Sequence, residues 1–158
     1  MHTFRKLLGN KTGFTLIELI IATAILGILA ELFATVLINQ MPRYRLNSAT
    51  RQLAWDLMSA RMKAITEYND LKIMFPNNRA YTIWSDENND NVVDAGETVA
   101  ISSNFIDKYQ DVSFAVPLPT PFVFTIRGTS SQAQNVTLKN AEESRVISVS
   151  VAGKVNVN

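Results

Sequence analysis

An apolar run of membrane-spanning length, Phe14–Met41, constrains this 158-residue chain more than any other feature of its sequence. About 24 helical residues rise roughly 36 Å, which is enough to cross a bilayer. The run nevertheless carries a glutamate, Glu18, near its start. A carboxylate in hydrocarbon costs roughly a few kcal/mol even on lenient insertion scales. Either this charge is misplaced, or its partner lies on another molecule.

The segment that precedes the run is short and basic. Residues 1–13 contain Arg5, Lys6 and Lys11 and no acidic residue. Basic residues on this side predict a cytoplasmic N-terminus. A secretory signal peptide is the alternative, but the apolar run is too long for one, and no A-x-A-like cleavage site is evident directly after it.

The composition argues against most kinds of catalysis. The chain has no cysteine, and its only histidine is His2 in the basic segment. Thiolate chemistry, cysteine-based zinc sites and histidine catalysis in the folded part are therefore excluded. The serines lack an evident base, and no Gly-rich phosphate loop is present. We expect neither an enzyme nor a nucleotide site.

The residues around Gly13 resemble the processing signal of type IV pilins. The match extends position by position over Gly13, Phe14, Thr15, Leu16, Ile17 and Glu18, and Gly27 also fits. The resemblance implies that a prepilin peptidase cuts between Gly13 and Phe14 and methylates the new amine of Phe14. It further implies that Glu18 acts in assembly. A neighbour's Phe14 amine beside Glu18 would let two costly charges satisfy each other in lipid.

Two positions depart from the pilin pattern. Thr35 stands where many family members have proline, and Pro42 follows seven residues later, where we expect it to bend or break the helix. Glu31 stands where the family is apolar, about 22 Å along the helix from Leu16. It is expected either to reach the far membrane interface or to form a second pairing between subunits.

The sequence predicts that the chain has three parts. Residues 1–13 form a leader, 14–41 a transmembrane assembly helix, and 42–158 a periplasmic domain that is helical to about residue 68. Apolar residues at three- and four-residue steps predict the face of this second helical part that packs on a sheet. They are Leu46, Leu53, Leu57, Ala60, Ala64 and Tyr68.

The remainder of the chain is rich in strand signals. Short apolar or alternating runs are separated by turn residues such as Pro76-Asn77-Asn78. A long helix followed by an antiparallel sheet predicts an α+β class. Trp55 and Trp84 are expected to be packing residues rather than ligand platforms. The predicted strands are Leu71–Phe75, Ala80–Trp84, Thr98–Ser102, Val112–Phe114, Phe122–Ile126, Val136–Leu138, Val146–Val151 and Val155–Val157.

This half of the chain resembles the GspH/FimT minor pseudopilins. The pieces that carry the resemblance are Leu57–Ile65, Trp84–Glu97, Phe124–Thr129 and Ser144–Val155. The resemblance implies a long pilin helix packed on β-sheets. It also implies that other pilins, the prepilin peptidase and the inner membrane are the partners. We assign the turn at Arg127-Gly128-Thr129 no chemistry.

The acidic segment Asp86–Glu97 nearly matches the spacing of an EF-hand calcium loop. Asn91 replaces the expected glycine, and the flanks are predicted strands rather than helices. Calcium is therefore one interpretation, and a polar hairpin loop is the other. The candidate calcium ligands are Asp86, Asn88, Asp90, Val92 through its carbonyl, Asp94 and Glu97.

Two functions follow from these observations. The first is a structural subunit of a type II secretion pseudopilus or a type IV pilus, anchored in the inner membrane with its C-terminal domain in the periplasm. The alternative is a minor pilin that captures DNA, since some relatives carry a basic Gly-Arg-x-Arg where this chain has Gly153-Lys154-Val155-Asn156. From Pro42 onward twelve basic residues balance twelve acidic ones, which is unlike a nucleic-acid-binding surface.

Overall fold

The computed structural model of the chain describes residues 13–88, 90, 92–94 and 96–158. The expected leader, apart from Gly13, lies outside the described residues. The chain divides into two compact units, Met1–Asn39 and Gln40–Asn158. Each unit is described below by itself.

One helix, α1, extends over Leu16–Thr66 and contributes to both units. In the first unit all described side chains are exposed. In the second unit one face of the helix is buried, as the three- and four-residue spacing predicts. The buried residues are Leu46, Ala49, Thr50, Leu53, Ala54, Leu57, Ala60 and Ala64.

Pro42 lies inside α1 without ending it, so of the expected bend or break the helix shows no break at this residue. Proline removes one helical hydrogen bond, and residues 140–143 contact the helix at this point. Asn140 Nδ2 donates to the Pro42 carbonyl oxygen at 2.9 Å. Arg43 Nε lies 3.5 Å from a carboxylate oxygen of Glu142 and 3.3 Å from one of Glu143.

Among the described residues, eight strands follow the helix and form two antiparallel four-stranded sheets. The first sheet has the order β3-β2-β1-β5, and its central hairpin joins β1 to β2 through the pair Asn77 and Ala80. Polar residues at the tip of this hairpin are the turn signal expected there. The strands are β1 Leu71–Asn77, β2 Ala80–Trp84, β3 Val99–Asn104 and β5 Phe122–Phe124.

The second sheet has the order β4-β6-β7-β8. Its longest pairing joins β6 to β7 over six residues, from Gln134 opposite Val149 to Lys139 opposite Ser144. The strands are β4 Ser113–Phe114, β6 Gln134–Lys139, β7 Ser144–Val149 and β8 Val155–Val157. All eight predicted strands are present, with ends shifted by up to a few residues.

The core joins the buried face of α1 to both sheets. Its aromatic centre is Tyr81, Phe75, Phe105 and Phe114, with Phe75 and Phe114 in edge contact at 5.0 Å between ring centroids. Tyr81 donates its hydroxyl hydrogen to Asp56 Oδ2 of the helix at 2.5 Å. The α+β class with a long helix on antiparallel sheets is thus confirmed.

Two predicted packing residues are not packed within this chain. Tyr68 is 82% exposed, because α1 ends at Thr66 and Tyr68 takes a left-handed backbone conformation with φ of 53°. Trp55 is 71% exposed on the helix face opposite the core, whereas Trp84 is fully buried as expected. Tyr68 was predicted to be buried because the apolar spacing continues for two residues beyond the end of the helix. Trp55 was predicted to be buried because it is a large aromatic residue.

Candidate functional site

The predicted cleavage site lies just outside the helix. Gly13, Phe14 and Thr15 precede α1 and have no regular secondary structure. Phe14 is 85% exposed. A Cβ atom added to Gly13 would meet no other atom within 4 Å. The Gly13–Phe14 bond is therefore uncovered by the described part of the chain.

Glu18 caps the N-terminus of its own helix. Thr15 N and Thr15 Oγ1 both donate to Glu18 Oε2, at 2.9 and 2.8 Å. In return Glu18 N donates to Thr15 Oγ1 at 3.3 Å. This reciprocal pair is a capping box, in which two otherwise unpaired N–H groups at a helix start gain acceptors.

The capping box gives Glu18 a role that the sequence analysis did not identify. The carboxylate has partners on its own chain and lies at the positive end of the helix dipole, so it is not an isolated charge. Both bonds use Oε2, and within the described residues Oε1 accepts no hydrogen bond. The Thr-x-x-Glu spacing of residues 15–18 was the available signal for this contact.

The helix after Glu18 presents apolar side chains on all sides. Leu19, Leu26, Leu32 and Phe33 are each at least 60% exposed. By length and composition α1 can cross a membrane, and it is the one described helix that can. Apolar side chains exposed around a whole helix need lipid or other helices as surroundings.

The first predicted calcium ligand of the acidic loop, Asp86, pairs with a lysine from outside the loop. Lys72 Nζ contacts Asp86 Oδ2 at 2.5 Å, and the Asp86 side chain is only 2% exposed. The two residues line a cavity of about 620 Å³ together with Asp70 and Glu87. Lys72, fourteen residues before Asp86, thus supplies the charge that offsets this carboxylate.

The remaining loop residues are connected through Asn88. Its Nδ2 donates to Asp90 Oδ2 at 3.1 Å and to Asp94 Oδ2 at 3.0 Å. Glu97 accepts from Asp94 N at 3.0 Å and from Glu87 N at 3.2 Å. Val92 N donates to Asp90 Oδ1 at 2.7 Å. The Asn88 amide therefore bridges the carboxylates of Asp90 and Asp94.

No cluster of three acidic or histidine side chains suited to a metal occurs among the residues that the structure describes. Asn91, the position that departs from the EF-hand pattern, lies outside them. The arrangement fits a hairpin loop closed by side-chain to backbone bonds. Calcium binding by this loop stays a prediction.

Three sequence segments that carry the pseudopilin resemblance meet at one point. Arg61 Nε of α1 donates to the Gly128 carbonyl oxygen at 2.7 Å, and Nη2 donates to that of Ala152 at 3.4 Å. Gly128 and Gly153 both have positive φ, and a Cβ atom on Gly153 would lie 2.0 Å from Gly128 O. The two turns can approach this closely only because residue 153 is a glycine, whereas a Cβ atom on Gly128 would lie 2.6 Å from Ile65 Cδ1 of the helix.

Comparison with protein families agrees with this geometry. The profile of a family described as type II transport protein GspH matches residues 49–153, which include most of the buried face of α1 and the strands β1 to β7. The chain belongs to the GspH family. A prokaryotic N-terminal methylation motif matches residues 8–30 and so includes Gly13, Phe14 and Glu18.

Solved structures with the same fold are minor pilins and pseudopilins. The type IV minor pilin FimU of Pseudomonas aeruginosa, in one crystal form, matches with a TM-score of 0.51 and 18% identity over 72% of this chain and 92% of FimU. The minor pseudopilin EpsH from the type 2 secretion system of Vibrio cholerae matches with a TM-score of 0.53 and 10% identity, over 72% of this chain and 96% of EpsH. None of the curated protein sequences matches the chain.

The GspH-family assignment confirms two expectations from the sequence. The chain is a type IV pilin-like protein of the GspH/FimT type, with a methylation motif and a long apolar N-terminal helix. The family and its structural neighbours are structural pilin subunits rather than enzymes. Membership in a pilin family implies assembly with other pilins.

Proposed function

We propose that this chain is a minor structural subunit of a type II secretion pseudopilus or a type IV pilus. A prepilin peptidase cuts it between Gly13 and Phe14 and methylates the Phe14 amine. The helix then anchors it in the inner membrane, with the N-terminus cytoplasmic and residues 42–158 periplasmic. The observation that carries the proposal is the Glu18 carboxylate. It is bonded to Thr15 at the start of a helix whose first part is not buried by the described residues of this chain.

Two features of Glu18 support a role in assembly. Oε2 is held by Thr15, so the carboxylate has a fixed direction at the helix start. Oε1 accepts no bond from the described residues, so it can accept one from the methylated amine of a neighbour. Such a pair compensates two charges that are costly in lipid. The subunit in register is thereby favoured over the free subunit.

Mass spectrometry of the native protein tests the processing step. The mature chain should begin at Phe14 and carry one added methyl group on its amine. A mature N-terminus near Ala30 or later would instead indicate an ordinary secretory signal, and the proposal would be abandoned.

Variants of the capping box separate the two roles of Glu18. Glu18→Gln keeps an oxygen that can cap the helix but removes the charge, because glutamine also forms capping boxes. Thr15→Ala removes both bonds of the Thr15 hydroxyl, keeps the bond from the backbone N–H of residue 15, and keeps the charge. If the charge pair drives assembly, Glu18→Gln should fail to enter the filament, as Glu18→Ala should, while Thr15→Ala enters it. Filament incorporation is measured by co-purification with partner pilins at equal membrane levels. Incorporation of Glu18→Gln together with failure of Thr15→Ala would contradict the charge pairing.

A further inference from the structure

A groove runs between α1 and the turn that joins β7 to β8. It has a volume of about 330 Å³ and lies entirely within the second unit of the chain. The residues that line it are Met58, Arg61, Met62, Gly153, Lys154 and Val155.

The floor of the groove is held in place by contacts already described. Arg61 is fixed by its bonds to Gly128 O and Ala152 O. Gly153 is buried directly against Gly128. Three elements of the fold therefore define the shape of the groove before anything binds. A preformed site loses little conformational entropy on binding.

The helix wall of the groove continues into an exposed apolar surface. Trp55, Met58 and Met62 are 71, 39 and 57% exposed, and their spacing of three and four residues places them on one helix face. Val151, beside the groove in the β7–β8 turn, is 57% exposed. Apolar side chains clustered on a domain surface mark a contact with another molecule, and methionine adapts to varied partners.

The charge of the groove restricts what can fill it. Arg61 and Lys154 are its charged lining residues, and both are cationic. The Arg61 guanidinium already donates to two carbonyls, so the exposed Lys154 ammonium is the mobile charge. A ligand that complements the groove has an aliphatic side chain that packs against the two methionines and a carboxylate that pairs with Lys154.

We propose that this groove receives a segment of a neighbouring filament subunit in which an aliphatic side chain stands next to a carboxylate. The inference rests on the proposed function, because it takes the partner to be another subunit of the same filament. Nucleic acid fits less well, because one mobile lysine between apolar walls cannot follow a chain of phosphates. A single contact of this kind is weak alone and gains strength from the helix contacts made by the same neighbour.

Methionine methyl NMR of the full chain in detergent micelles tests the proposal. Met58 and Met62 report on the groove, and Met41 and Met74 serve as references outside it. The probe is a blocked octapeptide with Leu-Asp-Leu-Glu at its centre. Two matched peptides carry Leu-Asn-Leu-Gln, without the charges, or Gly-Asp-Gly-Glu, without the aliphatic side chains. The acidic aliphatic peptide should shift the Met58 and Met62 signals saturably, and the two matched peptides should not.

A charge variant and its control sharpen the result. Lys154→Gln should weaken binding of the acidic peptide about twofold to fivefold, the usual range for one exposed charge contact. Lys139→Gln, at an exposed lysine of β6 outside the groove, should leave binding unchanged. A substitution at Arg61 is avoided because it would disturb the two turns.

Several outcomes would overturn the proposal. One is the absence of any groove shift with the acidic peptide, and another is an equal shift with the uncharged peptide. A third is a shift of Met58 and Met62 by a DNA duplex that weakens steeply with salt, which would identify DNA as the ligand. A fourth is a shift on simple concentration of the protein, which would identify a second copy. None of these outcomes affects cleavage at Phe14 or the Glu18 variants, so the proposed function is judged separately.

Discussion

The two parts of α1 contain similar apolar residues in opposite surroundings. In the first unit Leu29 and Leu32 are 51 and 61% exposed. In the second unit Leu46 and Leu53 are completely buried. Whether a leucine of α1 is buried therefore depends on the sheets that pack against it and not on the leucine content of the helix. The second part is covered by sheets of its own chain, whereas the covering of the first part has to come from lipid or other subunits.

The difference also separates two sources of stability. Residues 40–158 have their own core and can gain free energy from apolar burial within one chain. The first part of the helix gains nothing from burial until it meets other molecules. Matched substitutions in the two parts should therefore have very different effects on the unfolding of residues 40–158, as measured in detergent micelles.

The largest effect is expected at the glycines. Gly153→Ala places a Cβ atom 2.0 Å from Gly128 O at a φ of 74°, so the two turns must separate. Overpacking and backbone strain together should lower the free energy of unfolding by about 4 kcal/mol or more. Thermal unfolding followed by near-UV circular dichroism measures this loss. Gly27→Ala in the first part of the helix, where the added Cβ meets nothing within 4 Å, should not change the melting temperature.

Gly96 isolates the contribution of the backbone conformation. It has a φ of 114°, but an added Cβ there meets no atom within 4 Å. Gly96→Ala should therefore cost only the backbone strain, about 1–3 kcal/mol. A loss at Gly153 no larger than that at Gly96 would contradict the close packing of the two turns.

Leucine truncation compares the two parts of the helix directly. Leu53→Ala removes a completely buried side chain and should cost about 3 kcal/mol, through lost burial and the cavity left behind. Leu29→Ala should leave unfolding of residues 40–158 unchanged, because Leu29 lies outside that core. Chemical denaturation of both variants measures the difference. Equal losses would mean that the two parts unfold as one cooperative unit.

A smaller effect is expected at alkaline pH. Burial, and then the hydrogen bond to Asp56, raise the pKa of Tyr81 well above its ordinary value of about 10. Above pH 10 the unfolded chain releases this proton and the folded chain retains it, so stability falls as pH rises. The loss should reach about 1.4 kcal/mol by pH 11.

The control for the pH effect is another tyrosine of the same helix-and-sheet unit. Tyr81→Phe should remove this part of the alkaline slope in denaturation curves measured from pH 8 to 11. Tyr44→Phe, at a residue that is 70% exposed, should leave the slope unchanged. An unchanged slope in Tyr81→Phe would mean that Tyr81 titrates normally in the folded chain.

The smallest effect is the predicted response to calcium. If the loop binds the ion with a dissociation constant of about 0.1–1 mM, millimolar calcium should stabilise the chain by about 1 kcal/mol. The melting temperature should rise relative to chelator, and the double variant Asp86→Ala with Asp90→Ala should remove the rise. Identical curves for the unmutated chain in both buffers would leave the loop as a plain hairpin turn.

Local patterns in the sequence predicted the fold well. Alternating apolar residues and turn signals identified all eight strands, and the helical spacing identified most of the buried face of α1. The end of the helix was missed by two residues because nothing in the spacing marks Tyr68 as left-handed. Thr15 and Glu18 have the spacing of a capping box, but the sequence analysis predicted only a contact between Glu18 and a neighbouring subunit.

Contacts between distant residues were beyond the reach of the sequence. Lys72 pairs with Asp86, a contact that the loop spacing alone, which suggested a shared ion, did not indicate. Arg61 meets turns that lie 67 and 91 residues further along the chain. Sequence periodicity describes one secondary-structure element at a time. It therefore cannot predict a contact that depends on how three elements pack together.

The attachment of the second sheet to α1 has a mechanical consequence. The sheet is tied near the start of the second unit's helix by the Asn140 bond to Pro42 O and by Arg145 Nε, which donates to Asn47 Oδ1 at 3.1 Å. It is tied again further along by Arg61. Tension applied along the helix would load these attachments together in shear, rather than peel them apart one after another. A subunit pulled by its helix should therefore resist extension with more force than the modest strength of each single bond suggests.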